Sequence, residues 1–264
     1  MTEADLNDLA RAQELLESPG FIIRLTSLLG TPLEKGLKML PAKASGAITT
    51  AVQKSLEFAL KVALNSMAKG KSESFPKLHK TAVFLTGALG GAFGLLGAAA
   101  ELPVTTGIML RSIADIARAE GEDLNTLAAR LACLEVLALG GKSHSDDGAD
   151  FGYFAVRVAL AREISKAAEY IAAKGLTEVE GPAVVRGMAT LIARFGIQVE
   201  EKLLAEAAPV FGAIAGAGIN LAFIDHFQDM ALGHFTIRRL ERAYGQETVR
   251  AVYDDLLRIR KSQS

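Results

Sequence analysis

Residues 81–100 read TAVFLTGALGGAFGLLGAAA and run directly into Glu101, Leu102 and Pro103. The stretch carries no charge, and about half of it is glycine or alanine. Its length matches the hydrocarbon core of a bilayer. A lipid-facing helix, however, is built mainly from bulky side chains with aromatic belts at its ends. Gly87 and Gly91, and Gly90 and Gly94, form two overlapping G-x-x-x-G pairs, a spacing that lets a second backbone approach closely. The composition therefore predicts a helix buried on all sides by other helices. A membrane-inserting helical hairpin is the alternative reading of the same text.

A second uncharged stretch, residues 207–224 (AAPVFGAIAGAGINLAFI), has the same character. Each stretch is followed by an acid, Glu101 in the first case and Asp225 in the second. Helical spacing of apolar residues recurs through most of the remaining chain. Ile48, Val52, Leu56, Leu60 and Ala63 line one face of a helix over residues 47–67, for example. Further helices are expected over 5–16, 104–120, 124–139, 151–173 and 247–259, with Pro182 opening another and Gly245 ending one. GKSESFP at 70–76, GGKSHSDDGAD at 140–150 and residues 175–181 read as loops. No alternating strand pattern is found. The fold class is all-α: a compact multi-helix bundle of roughly nine to twelve helices, with the two glycine-rich apolar helices central and adjacent. No linker divides residues 1–264, so one domain is expected.

Bulk properties narrow the function. With 29 basic and 30 acidic residues and no basic run, the chain lacks the electrostatic footprint that nucleic acid requires. The single cysteine, Cys133, lies in apolar text (RLACLEVLAL) and reads as a small buried hydrophobe. The first residues are acidic and lack a signal-peptide core, so a cytoplasmic chain, peripheral at the inner membrane, is expected. None of the nucleophile-elbow, phosphate-loop, C-x-x-C or H-E-x-x-H patterns occurs, and no catalytic residue or cofactor is identified.

The stretch TGALGGAFGLLGAAAELPVTTGIMLRSIADIARAEGEDLNTLAARLACLEVLALGG resembles the EcsC family of bacterial proteins. Its features are a glycine-rich apolar helix, an acid-Leu-Pro step and a helix of the form x-L-R-S-I-A-D-I-A. FGYFAVRVALAR and GAGINLAFIDHFQDMALGHFTIRRLERAYG resemble the family's later helices. The resemblance spans about residues 84–245. It implies an all-helical, membrane-associated cytoplasmic protein, and brings no catalytic residues with it.

Ionisable groups inside apolar helices are where a site would lie, because an unpaired buried charge is costly. Glu101 reads as the N-terminal charge of a helix beginning near Pro103, or as a metal ligand. Arg111, Asp115 and Arg118 share a helix face and read as a salt-bridge ladder. Glu135 needs a cation, and Arg157 or Arg162 can supply it; Arg157 thus joins the structural polar network. Asn220, Asp225, His226, Asp229 and His234 form the richest cluster, with Asp229 facing Arg238 or Arg239 in the structural reading. In the metal reading, Asp225, His226 and Asp229 bind an ion with Glu101 or Glu135. Three functions follow. The first is an accessory protein at the cytoplasmic membrane face, handling lipid, an apolar ligand or a membrane-protein partner. The second is a metal-assisted hydrolase, and the third a membrane-inserting hairpin protein. No oligomeric state can be read.

Overall fold

Thr2 opens the first helix by accepting the backbone N–H of Asp5 on its hydroxyl at 3.2 Å, while Glu3 and Asp5 place negative charge in the first turn. This helix, α1, spans Glu3–Leu16. The computed structural model describes residues 1–17, 42–65, 94–139, 153–174, 182–207 and 212–263. Among them it holds α2 (Ala42–Asn65), α3 (Gly94–Ala119), α4 (Leu127–Leu139), α5 (Tyr153–Lys174), α6 (Pro182–Ala207), α7 (Gly212–Tyr244) and α8 (Gln246–Gln263). No strand occurs among the described residues. Residues 81–93 of the first glycine-rich stretch lie outside them, as do 208–211 of the second and the three expected loops at 70–76, 140–150 and 175–181.

Helix α3 corrects one expectation. It runs unbroken from Gly94, so Glu101 sits within the helix and not at its N-terminus, and Pro103 lies in the interior, more than two turns from the start. Proline there removes one i→i−4 hydrogen bond, that to the Ala99 carbonyl, a loss the surrounding packing tolerates. The helix ends in a glycine turn. Gly121 takes φ +83°, and the Glu122 N–H reaches back to the Ala117 carbonyl at 2.9 Å. Thr126 then caps α4, its hydroxyl accepting the Ala129 N–H at 3.2 Å. Gly245, at φ +84°, ends α7 and lets α8 start at once.

Helix α7, about 50 Å long at 1.5 Å per residue, is the axis of the bundle. It packs against α1, α3, α4, α6 and α8. The main core joins Met109, Leu110 and Ile113 of α3 to Phe195 and Val199 of α6 and to Phe223, Phe227 and Phe235 of α7. Helix α4 is buried on every side over residues 131–138, in keeping with text nearly free of charge there. A second cluster joins Leu9 and Ala12 of α1 to Tyr153, Ile237, Leu240, Val249 and Tyr253. The two clusters meet at Leu16 and Leu139.

Helix α1 sits on α7 through Gly233. A Cβ added there would lie 2.7 Å from Leu16 Cγ and 3.0 Å from the Ala12 carbonyl oxygen. Gly233→Ala is therefore expected to push the α1 backbone off α7, at a cost of about 1–3 kcal/mol. Gly107→Ala meets only the ring of Phe58, which is half in solvent and can swing away. Urea unfolding of both variants checks this; equal losses would mean that α1 is not closely seated.

Candidate functional site

The interior polar groups fall into two assemblies. The first joins the two helices that carry the ends of the glycine-rich stretches. Glu101 of α3 accepts hydrogen bonds on Oε1 from Thr105 Oγ1 at 2.6 Å and from Asn220 Nδ2 of α7 at 2.7 Å. Lys202 Nζ of α6 lies 3.7 Å from the same oxygen and 5.7 Å from the Phe223 ring centroid. Lys202 and Asn220 are fully buried. A lower rung, Gln228 Nε2 donating to Ser112 Oγ at 2.7 Å, ties the same two helices again. An ammonium and a carboxylate are thereby held inside an apolar bundle, with an amide and a hydroxyl orienting the carboxylate. Glu101 Oε2 accepts no hydrogen bond among the described residues.

The second assembly links the turn after α3 to α4, α5 and α7. Arg157 makes a fork-to-fork pair with Glu241, both bonds at 2.7 Å, and its guanidinium lies 5.8 Å from the Tyr153 ring centroid. Arg238 holds Glu122 through two bonds of 2.8 and 3.0 Å, and Arg242 shares that carboxylate. The Tyr153 hydroxyl lies 2.8 Å from His234 Nδ1. Burial, with Arg157 and Arg238 nearby, holds the His234 pKa well below the ordinary imidazole range, so the ring is neutral. Burial pushes the Glu135 carboxyl up to about 7, against the pull of Arg157 and Arg238. Burial likewise raises the Cys133 thiol far beyond reach as a nucleophile.

The expected site residues separate along these lines. Asn220 and His234 are on one helix, but fourteen residues, or about 21 Å of axis, part them. Asn220 serves Glu101, and His234 serves Tyr153. His226 is buried edge-on to Phe227, with ring centroids 5.2 Å apart, while Asp225 and Asp229 are half-buried. Glu135 belongs to the second assembly and Glu101 to the first. Among the described residues no three His, Cys, Asp or Glu side chains gather closely enough to hold a metal ion.

The Arg111–Asp115–Arg118 face keeps one rung: Arg118 pairs with Asp115 at 2.7 Å, and Arg111 is exposed. Arg157 is the cation near Glu135, but its own bidentate partner is Glu241; Arg162 is exposed. The expected facing of Asp229 to Arg238 or Arg239 is corrected. Arg238 is turned to Glu122, and Arg239 to Glu120, Asp8 and Asp5, because those acids lie on the turn after α3 and on α1, across the interface.

Sequence reasoning missed Lys202. Its immediate text, VEEKLLAE, looks like a solvated charged face. The signal was in the period: Leu191, Phe195, Gln198, Val199 and Lys202 fall on one helical stripe, and all five are buried.

Residues 5–240 match the family model described as the EcsC protein family. The chain belongs to the EcsC protein family. The match begins well before residue 84, where the motif resemblance starts, and so takes in α1 and α2. All four members of the Glu101 assembly lie inside the EcsC match, whereas Glu241 and α8 fall beyond its end. No curated protein and no solved structure matches the chain.

Proposed function

We propose that this EcsC protein is a non-enzymatic accessory protein at the cytoplasmic membrane face, handling lipid, another apolar ligand or a membrane-protein partner. One observation carries the reading. The two helices that continue the glycine-rich stretches meet at a buried carboxylate, with a buried ammonium beside it. Small residues on two neighbouring helices suit an elongated apolar guest, and a charged pair at the end of such a surface suits its polar head. None of the described helices is long and apolar enough to cross a membrane.

The test is what travels with the protein. Gentle purification of the full chain, solvent extraction and lipid mass spectrometry should recover an amphipathic molecule. The paired variant Glu101→Gln/Lys202→Met, if it keeps its helical circular dichroism, should retain about tenfold less of it, because charge-assisted hydrogen bonds are lost. Elemental analysis runs on the same sample. Near-stoichiometric zinc, iron or manganese with no lipid would overturn the reading in favour of a metal-assisted hydrolase.

A further inference from the structure

Two large apolar side chains are left in solvent where α2 and α3 cross. Phe58 of α2 is 43% exposed and Val104 of α3 is 52% exposed. They belong to one patch, because a Cβ added at Gly107, one turn beyond Val104, would lie 2.5 Å from Phe58 Cε1. Among the described residues, the other exposed large hydrophobics sit singly on other helices: Leu6 on α1, Val158 on α5 and Ile259 on α8.

Cations flank this pair on both helices. Lys54 and Lys61 stand at i−4 and i+3 from Phe58, and Arg111 stands at i+4 from Gly107. All three are exposed. Two acids lie near them among the described residues: Glu57 accepts a hydrogen bond from Gln53 Nε2 at 3.0 Å, and Asp115, one turn from Arg111, is half-buried and paired with Arg118 at 2.7 Å. The patch is thus locally cationic on a chain whose formal charge is −1.

We propose that this α2–α3 face is the surface by which the protein rests on an anionic phospholipid bilayer. Phe58 and Val104 enter the headgroup boundary, and Lys54, Lys61 and Arg111 meet lipid phosphates. A lysine side chain at such a position can lay its stem along apolar neighbours while its ammonium group reaches outward to a phosphate. Two apolar side chains are too few for a stable protein–protein interface, which buries about 800 Å² on each partner. Adhesion to a membrane needs less apolar area, because each surface cation contributes to it. The inference rests on the membrane-face reading above and names the surface and the lipid class.

Vesicle sedimentation of the full chain tests it, with phosphatidylcholine vesicles and with vesicles containing about one-third phosphatidylglycerol. The wild-type chain should bind the anionic vesicles at least about tenfold more tightly than the neutral ones, and high salt should weaken that binding. Phe58→Ser, and separately Lys54→Gln/Lys61→Gln/Arg111→Gln, should each lower it by about tenfold. Val158→Ser should bind as wild type does. All these positions are exposed, and circular dichroism confirms that each variant is folded. Equal binding by wild type and both patch variants would overturn this surface while leaving the membrane-face reading standing. Absence of any vesicle binding would overturn the surface as well; lipid co-purification then decides the broader reading independently. Binding by wild type to neutral and anionic vesicles alike would overturn the role of the three cations.

Discussion

Lys202→Met is expected to destabilise the bundle by about 3–5 kcal/mol, because it leaves the Glu101 carboxylate in the interior without its ammonium. For a chain of this size that is a fall in Tm of roughly 10 °C. Methionine fits the space of the lysine stem, so little of the loss comes from packing. The companion variant separates the causes. Glu101→Gln/Lys202→Met removes both charges yet keeps a side-chain oxygen for the Thr105 hydroxyl and the Asn220 amide. It should recover most of the loss, since a buried ion pair replaced as a unit is often near neutral. Thermal and urea unfolding of wild type, both single variants and the double variant give the coupling directly. A neutral Lys202→Met, or additive single effects, would show that the two groups do not share a buried environment.

Glu135→Gln should change the pH dependence of stability more than its value in acid. Burial holds the folded-state carboxyl at about 7, above its ordinary value of 4.5, with Arg157 and Arg238 pulling the other way and Glu241 adding to the rise. A raised folded pKa means that the folded state keeps a proton that the unfolded chain gives up. The associated stability is fully present below pH 4.5 and is lost as pH rises towards and through 7. Glutamine mimics the protonated acid at every pH. Wild type and variant should therefore match near pH 4.5, and the variant should be more stable at pH 8 by roughly 3 kcal/mol. The other ionisable groups are common to both proteins, so the difference isolates Glu135. A variant destabilised equally across the range would mean that Glu135 is ionised and bound to Arg157 as a pair.

The helices were legible because their apolar residues recur at helical spacing and because their ends carry local signals. Pro182 opens α6 and Gly245 closes α7 as their chemistry requires. The start of α3 was misread for the same local reason. An acid followed by proline is a good helix opening in isolation. Here Glu101 is satisfied by Asn220 and Lys202 from other helices, so the helix has no need to begin there. The Asp225–His226–Asp229 grouping is likewise drawn from spacing along a single helix. Side chains close in sequence on one helix face different neighbours, and a site needs convergence from several elements.

Fold class was thus decided by the sequence alone. Uncharged, glycine-rich and alanine-rich text, together with helical periodicity, admits an all-α bundle and little else, since these are properties of each segment by itself. The buried pairing Glu101–Lys202, the bidentate Arg157–Glu241 and Arg238–Glu122 bridges, and the exposure of Phe58 beside Val104 were decided only by tertiary structure. Each depends on which helix lies opposite. A lysine on a helix stripe is buried or solvated according to the neighbour that covers it. Helix packing angles and offsets arise from the interlocking of many side chains at once, which no single stretch of the chain encodes.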